Sequence, residues 1–291
     1  MKRLKNQITV VNRACVLVAG LLVAGGLSAG AQTLVYSDDF PGAAQNLDGA
    51  PTTDIAGLNG GSGGALPQSA AVEQTINGNN QLQLTSPGGG GSGDSGYVRF
   101  DTVGSSGTLY NWATSPAAAA ITAAGGFTVS FGWTPANTTS DDWIYFVAGG
   151  DPADSFGYGY SLQALSGNTS SGIILKNNGG VQAFSAGSTG PSGSFTPASY
   201  NTVSLTYKFT SFAAGAPVSL SATVDGTPVI TGDAFNWTSA NNYLDLGTYQ
   251  SAGGLINNFE ITTVPEPSTW AMVSAGLALL FVMRRMQKIQ A

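Results

Sequence analysis

The sequence predicts an all-β body folded as a two-sheet jelly-roll sandwich, with a separate apolar segment at each end of the chain. Three observations predict this class. About a dozen short runs that alternate apolar and polar residues fall within roughly 230 residues, three turn sequences join neighbouring runs, and no part of the body repeats apolar residues at helical spacing. No internal repeat is present, which disfavours a propeller or a β-helix. Short strands in this number are typical of a jelly roll.

The body begins and ends with strands, and glycine-rich loops separate many of its apolar runs. In a half-buried strand every second side chain faces the core, so strict alternation marks a strand. The predicted strands, in chain order, are Thr33–Phe40, Gln81–Thr85, Tyr97–Phe100, Phe127–Trp133, Val203–Phe209, Val218–Val224 and Gly254–Thr262. Loops are predicted over Pro41–Gly64 and Pro87–Gly96, whereas Pro116–Ala124 is either one helical turn or a covering loop.

Three turn sequences indicate that consecutive strands pair as hairpins. They are Asn77-Gly78, Asn177–Gly180 between the runs 173–176 and 181–184, and Asp225-Gly226. Asn-Gly and Asp-Gly pairs readily adopt the positive φ angles that two-residue hairpin turns need. Pro228 follows the third turn and has no amide hydrogen, so the strand that contains it is expected at a sheet edge.

The N-terminal segment, residues 1–31, has the pattern of a secretory signal peptide. Four basic residues accompany an apolar run, Cys15–Leu27, that is too short for an ordinary membrane span. Ala29 and Ala31 form a small-residue cleavage site, so the mature chain is expected to begin at Gln32. The single cysteine lies in the removed segment, which excludes disulfides and thiolate catalysis from the mature protein.

The C-terminal segment, residues 264–291, has three parts. It opens with a stiff, extended spacer formed by Val264, Pro265, Glu266 and Pro267, because each proline fixes its own φ and restrains the residue before it. The apolar run 269–283 is predicted as a single transmembrane helix, about 22 Å long against about 30 Å of hydrocarbon. Arg284 and Arg285 follow, and the positive-inside rule places them in the cytoplasm and the body on the other side of the membrane.

These three parts, in this order, resemble the PEP-CTERM protein-sorting signal of Gram-negative bacteria. The resemblance covers residues 264–291. It implies that the chain is exported, tethered transiently in the inner membrane and processed by an exosortase-type transpeptidase. The cell envelope or the extracellular polysaccharide is then the expected destination.

The body, residues 32–263, resembles the concanavalin A-like, laminin-G-type sandwich family in four places. These are Asp38-Asp39-Phe40, Leu82-Gln83-Leu84, Val224-Asp225-Gly226 and the closing run Asn257–Ile261. The resemblance implies two packed sheets in which the first and last strands lie side by side. It agrees with the jelly roll that the strand pattern predicts.

Charge and composition exclude several classes of function. Residues 32–263 contain 3 cations against 15 acids, which are the 16 acids of the chain less Glu266, so the net charge of the body is near −12. Such a charge repels phosphate and excludes nucleic acid as a partner. The chain has no histidine, which excludes a Ser-His-Asp hydrolase and a His-ligated zinc site. Glycosidases need a pair of carboxylates that face each other across the substrate. The glutamates of this chain, Glu73, Glu260 and Glu266, are far apart in the sequence and do not form the closely spaced set that such an enzyme carries on one strand. A non-enzymatic protein is therefore expected, although catalysis by an aspartate pair stays open.

Calcium is the cofactor that the oxygen-rich turns suit. Asp38 and Asp39 close the first strand, and Asn257 and Asn258 lie in the last one. If these strands lie side by side, the four side chains can supply oxygen ligands together. The alternative is that they form solvated acidic turns, or Asx-turns that cap backbone groups. The sequence leaves both interpretations open.

Carbohydrate binding would need exposed aromatic rings. The candidates are Trp143, Tyr158, Tyr160, Trp237 and Tyr243, and the alternative for each ring is packing in the core or across strands. The resulting expectation is a structural or weakly glycan-contacting module of the envelope or the extracellular polysaccharide matrix. A calcium-assisted carbohydrate-binding lectin is the first alternative, and an unrecognised glycoside hydrolase or lyase is the second.

Overall fold

The computed structural model describes residues 32–40, 53–59, 71–76, 79–85, 95–101, 110–149, 171–185, 188–249 and 252–264 of the 291-residue chain. The chain divides into two units, one formed by Thr33–Val264 and the other by the two ends, Met1–Gln32 and Pro265–Ala291. The predicted signal peptide and the predicted transmembrane helix at 269–283 lie outside the described residues. Within the described ranges, no helix is long and apolar enough to cross a membrane.

Nearly all regular structure in the described ranges is β-strand. The strands are β1 (Leu34–Asp38), β2 (Thr53–Asn59), β3 (Ala71–Ile76), β4 (Asn79–Thr85), β5 (Ser95–Asp101), β6 (Gly126–Thr134), β7 (Trp143–Ala148), β8 (Ser171–Lys176), β9 (Gly180–Ser185), β10 (Ser188–Ser194), β11 (Asn201–Lys208), β12 (Pro217–Val224), β13 (Thr227–Asn236), β14 (Leu244–Tyr249) and β15 (Ala252–Thr263). One short helix, α1 (Ala118–Ala123), follows a 3-10 turn at Trp112–Thr114.

The strands form two antiparallel sheets. The eight-stranded sheet has the order β13-β12-β11-β6-β15-β4-β3, with β1 also paired to β15, and the seven-stranded sheet has the order β10-β9-β8-β7-β14-β5-β2. β1 pairs with residues 259–262 of β15 and β4 with residues 252–256, so both lie along the same edge of β15. The predicted all-β, two-sheet jelly-roll sandwich is confirmed, and so is the pairing of the first strand with the last.

Alternation of side chains separates a core face from an outer face in β11 and β12. Val203, Leu205 and Tyr207 of β11 are buried, whereas the residues between them are half-buried. The inner faces of the sheets enclose an aromatic-rich core whose largest fully buried side chains include Trp112, Trp133, Trp237, Tyr36, Tyr207, Phe40, Phe127, Phe131, Phe146 and Phe259. Burial of this apolar surface is the main driving force for folding a unit that contains no cysteine.

All three predicted hairpins form. β3 pairs with β4, β8 with β9 and β12 with β13 in antiparallel register. At the third turn Asp225 and Gly226 have φ angles of 51° and 74°, the positive values that a tight two-residue turn requires. The Asp225 carboxylate accepts hydrogen bonds from the amide (2.7 Å) and the hydroxyl (2.9 Å) of Thr202, which attaches this turn to β11. β13 lies at the edge of its sheet, as Pro228 predicts.

β10 closes one side of the sandwich by lying against β13 of the other sheet. Gly193 permits the approach, because a Cβ at this position would clash with the backbone carbonyl of Val229. Ser185, at the end of β9, donates a hydrogen bond of 2.7 Å to Oδ2 of Asp233 on β13. Backbone packing and this hydrogen bond join the two sheets here. The contact also covers strand edges that would otherwise invite pairing with other chains.

The sequence analysis predicts no strand over β7 or β14, both of which form, and it differs from the structure in two further regions. Pro41–Gly64, predicted as a loop, contains β2, and β10 forms in a stretch of Ser, Gly and Pro where the sequence predicts no strand. Neither stretch alternates apolar and polar residues. Each becomes a strand because a neighbour, β5 for β2 and β9 for β10, supplies its backbone partners. α1 settles the open choice at Pro116–Ala124 in favour of a helical turn.

β15 remains hydrogen-bonded to its last residue. The Thr263 amide donates to the Thr33 carbonyl over 2.9 Å, and the Thr33 amide donates to the Thr263 hydroxyl over 3.0 Å. Val264, which is 5% exposed, donates its amide hydrogen to the Gly126 carbonyl over 3.1 Å. Ordered backbone pairing therefore extends to the boundary at which the sequence places the end of the body.

Candidate functional site

The outer face of the seven-stranded sheet carries a small aromatic patch. This patch consists of Trp143, Tyr145, Val147, Ile174, Phe184 and Tyr243. On β7 its side chains alternate with Ile144 and Phe146, which belong to the main core. The ring centroids of Trp143 and Tyr145 lie 6.0 Å apart. The structure thus brings two predicted glycan-contacting rings, Trp143 and Tyr243, into one patch, where both are half-buried.

The prediction that Trp237 contacts glycans is wrong. Its side chain is 1% exposed, and its ring packs in the core against Phe209 and Phe212. Tyr207 stacks on it with 6.4 Å between ring centroids. Trp237 comes directly after β13, and its amide donates to the Ala216 carbonyl over 3.0 Å, which fixes the backbone next to the core. The ring therefore contributes to stability and is not available to a ligand.

Several other predicted site residues lie outside the described part of the chain. Tyr158 and Tyr160 belong to this group, so their role as glycan contacts stays a prediction. The same is true of the cleavage-site residues and the tail residues, which are Ala29, Ala31, Pro265, Glu266, Pro267, Arg284 and Arg285.

The first pair of calcium candidates lies at the end of β1, where Asp38 makes structural hydrogen bonds. The Asp38 carboxylate, on a residue that is 3% exposed, accepts from the Phe40 amide over 2.7 Å and from the Tyr36 hydroxyl over 3.1 Å. Phe40 has a φ angle of 55°, so the carboxylate caps a sharp turn. This arrangement is the Asx-turn alternative that the sequence left open. Asp39, by contrast, is exposed.

The second pair of calcium candidates lies in a bulge of β15. Oδ1 of Asn257 accepts from the Tyr200 hydroxyl over 3.4 Å, and Asn258 is exposed with a φ angle of 49°. Asp38 is in register with Phe259, so pairing of the terminal strands does bring the two candidate pairs to neighbouring positions. Across the residues that the structure describes, no three His, Cys, Asp or Glu side chains group as a metal site. Calcium binding here stays a prediction.

A surface network of polar side chains lies before β7. Oδ1 of Asp141 accepts from the Lys176 ammonium over 3.2 Å and from the Asn178 amide over 2.9 Å. These two bonds lower the pKa of the Asp141 carboxyl below its ordinary value, and the bond from Lys176 has the larger effect. The adjacent Asp142 accepts from the Ser140 hydroxyl over 2.8 Å. Each of the two neighbouring carboxylates therefore has structural partners of its own.

Tyr200 is an exposed ring that no alternating pattern singles out. Its side chain is 44% exposed. The ring lies over Gly132 of β6, where a Cβ would clash with Tyr200 and with the side chain of Asn257. Gly132 is on the outer face of the eight-stranded sheet, since the flanking Phe131 and Trp133 belong to the core. The sequence signal that could have found this site is Gly132 itself, because a glycine inside a strand often marks a close approach.

Residues 263–288 match the family model of the PEP-CTERM protein-sorting motif. The tail is a PEP-CTERM motif. The match begins at the last residue of β15, so the PEP-CTERM motif starts where the sandwich ends. The motif indicates export and membrane-associated sorting of the chain, and it implies processing by exosortase-type machinery. The predicted sorting signal at 264–291 is thereby confirmed.

No curated protein matches the chain that carries this PEP-CTERM motif. Among solved structures it is similar to the metal-free carbohydrate recognition domain of Emp46p, at 12% identity and a TM-score of 0.38 over 62% of this chain and 81% of that one. It is also similar to a legume lectin-like domain from Entamoeba histolytica, at 10% identity and a TM-score of 0.35 over 65% and 85% of the two chains. It is similar as well to a Trypanosoma rangeli sialidase in complex with the inhibitor DANA, at 15% identity and a TM-score of 0.42 over 91% of this chain and 37% of that one. These likenesses carry no argument about ligand or activity.

Proposed function

We propose that this chain is a non-enzymatic exported protein that PEP-CTERM sorting delivers to the cell envelope or to the extracellular polysaccharide matrix. The sandwich then serves there as a structural or weakly glycan-contacting module. The observation that carries the proposal is the sorting motif at 263–288, which begins at the last residue of the last strand of a two-sheet sandwich. The inner membrane and an exosortase-type processing enzyme are its transient partners, and extracellular polysaccharide is its lasting one.

The end of β15 supports this order of events. Thr263 and Val264 are fixed by hydrogen bonds to Thr33 and Gly126, so regular pairing persists up to the residue before Pro265. Pro265, which comes directly after Val264, and Pro267 have no amide hydrogen to donate to a strand ladder. The boundary between the sandwich and the sorting segment is therefore sharp, which favours processing at the spacer without damage to the fold.

The described carboxylates support a non-enzymatic body. Asp38 caps the turn at Phe40, Asp225 caps the third hairpin, and Asp233 accepts a hydrogen bond from a serine of the other sheet. A catalytic acid or base needs a pKa near the working pH. The hydrogen bonds from Lys176 and Asn178 lower the pKa of the Asp141 carboxyl, away from that range.

The sorting part of the proposal is tested by deleting residues 265–291. The full chain is expected in the membrane fraction before processing and in the envelope afterwards, whereas the truncated chain should be soluble in the periplasm or the medium. A matched control carries an unrelated single transmembrane helix in place of 265–291. It should stay in the membrane unprocessed, which separates tethering from sorting. If truncated and full-length chains fractionate alike, the proposal is wrong.

A second candidate function is that of a carbohydrate-binding lectin, with calcium ordering its loops. The aromatic patch favours it, because Trp143 and Tyr243 are half-buried rings on one face of a sheet and such rings are amphipathic contact surfaces. A glycan array probed with the full chain, in calcium and in chelator, tests it. Trp143→Ala and Tyr243→Ala should lose binding, whereas Leu34→Ala, which removes an exposed apolar side chain elsewhere, should keep it. A wild-type chain that binds no glycan in either solution rejects this candidate.

A further inference from the structure

We infer that the outer face of the eight-stranded sheet binds a neutral polysaccharide chain that lies across its strands. The inference rests on the proposed function and deepens it, because it names a surface and a ligand class. The surface, called the hydroxyl face below, is formed by the outward side chains of β15, β6, β11 and β12. It lies on the other sheet from the aromatic patch.

Strand register arranges the hydroxyl face in ranks that run across the sheet. The first rank consists of Thr262, Thr128, Thr206 and Ser221. The second rank consists of Glu260, Ser130, Ser204 and Thr223. Neighbouring strands are about 4.8 Å apart and alternate residues along one strand about 6.8 Å apart, so each rank is about 14 Å long. The two ranks together form a grid of seven hydroxyls and one carboxylate.

An exposed ring borders this grid. Asn257, Gly132 and Thr202 form the row beyond the second rank. The Tyr200 ring lies over Gly132, the one position in that row without a side chain, and its hydroxyl donates to Oδ1 of Asn257 over 3.4 Å. The ring is therefore held against the sheet and does not project freely into solvent. It offers an apolar surface beside the hydroxyls, as an aromatic ring with a polar tip does at the edge of a binding surface.

The chemistry of the hydroxyl face selects its partner. A protein partner would bury aromatic or arginine anchors, and the two ranks contain none. Nucleic acid or anionic lipid would require clustered cations, and Glu260 is the only charged residue in the ranks. The net charge of −12 over Thr33–Val264, from 3 cations and 15 acids, repels acidic polymers. A neutral polysaccharide fits, because its hydroxyls both donate and accept hydrogen bonds, as those of Ser and Thr do.

Binding on this face depends on the number of contacts. The Thr128 and Thr206 hydroxyls are 3.2 Å apart and share a hydrogen bond. Thr128 is only 8% exposed and Thr206 is half-buried, so the Thr206 hydroxyl is the more accessible of the pair and keeps further hydrogen-bonding capacity for a ligand. Each hydroxyl contact with a sugar replaces one with water, so a single contact adds little. A polymer engages many such positions at once, and many displayed copies of the protein add avidity. Weak binding to short oligosaccharides and retention on long polysaccharides are both expected.

The test measures retention of the full chain on insoluble cellulose and β-1,3-glucan, with the acidic polysaccharide alginate as competitor. The face variant combines Thr128→Val, Thr206→Val and Thr262→Val. It removes three hydroxyls of the first rank but keeps side-chain shape and strand propensity, and it replaces both partners of the Thr128–Thr206 bond. The control variant carries the same change at exposed positions outside the face, Thr139, Thr210 and Thr227. Tyr200→Ala, at an exposed side chain, is the second variant and keeps the test valid if the triple variant unfolds.

The wild-type chain and the control variant should bind a neutral polysaccharide equally. The apparent Kd should rise about tenfold or more in the face variant and in Tyr200→Ala, and alginate should not compete. If the face variant and Tyr200→Ala are both retained as strongly as the wild-type chain, the inference is overturned. If Trp143→Ala abolishes that retention, glycan contact belongs to the aromatic patch, and the proposed function stands without the inference. A wild-type chain that no neutral polysaccharide retains overturns the inference and the glycan-contacting role together, and the fractionation test still decides sorting.

Discussion

Replacing Gly193 by alanine should loosen the side of the sandwich where β10 lies on β13. A Cβ at this position would clash with the Val229 carbonyl oxygen and lie 2.8 Å from its carbonyl carbon and 3.3 Å from its Cα. These are backbone atoms, so no side chain can rotate away, and β10 has to move outward. Overpacking of this kind costs about 1–3 kcal/mol. The movement should also weaken the 2.7 Å hydrogen bond between Ser185 and Asp233.

For a unit of this size, 1 kcal/mol lowers Tm by about 2–4 °C, so Gly193→Ala should lower Tm by about 2–12 °C. Ser192→Ala is the matched control, because it places the same residue at an exposed position of the same strand and should change stability by less than about 0.5 kcal/mol. Thermal unfolding followed by circular dichroism, with urea midpoints as a second measure, gives both values. If the two variants unfold at the same temperature, the backbone contact between the sheets does not exist and this reasoning is refuted.

Three further predictions concern buried side chains. Trp237→Ala should lose about 3–5 kcal/mol in urea unfolding because it empties a core site; unchanged stability with reduced polysaccharide retention would return Trp237 to the ligand site. Burial raises the pKa of Tyr207, so the unfolded chain loses this proton first and stability should fall as pH rises above about 10. Tyr207→Phe should flatten that decline, and an identical pH profile would contradict this cause. Asp38→Ala should cost about 1–3 kcal/mol through its lost bonds to Phe40 and Tyr36, equally in calcium and in chelator; a larger drop of Tm in calcium would show that Asp38 binds the metal.

Alternation of apolar and polar residues predicts some of the strands from sequence alone, whereas other strands lack this pattern. β11 and β12 carry an apolar residue at every second position, so their sequences alone report one buried face. The sequences of β2 and β10 do not alternate in this way, because their strand conformation comes from backbone pairing with β5 and β9. β10 in particular depends on Gly193, and the need for a glycine there is apparent only when Val229 of the other sheet is known.

Among the candidate site residues too, some could be predicted from sequence and others could not. The sorting tail could be read from sequence because its function lies in local properties, namely two prolines, an apolar length and a terminal charge. Trp237 and Tyr200 both lie just outside strands, so no periodicity assigns them to a face. Trp237 is buried and Tyr200 exposed because of residues distant in sequence, Ala216 for the former and Gly132 for the latter. Trp133, inside an alternating strand, could be placed in the core correctly.

The pairing of β1 with β15 has a consequence for the timing of export. Thr33 is bonded to Thr263, 230 positions later in the chain. Closing so long a loop is entropically costly, and contacts this distant slow folding. β1 therefore cannot complete its pairing until β15 has been synthesised. In a chain that is exported, as the sorting motif indicates, the pairing of β1 with β15 can form only after the final strand has emerged on the far side of the membrane.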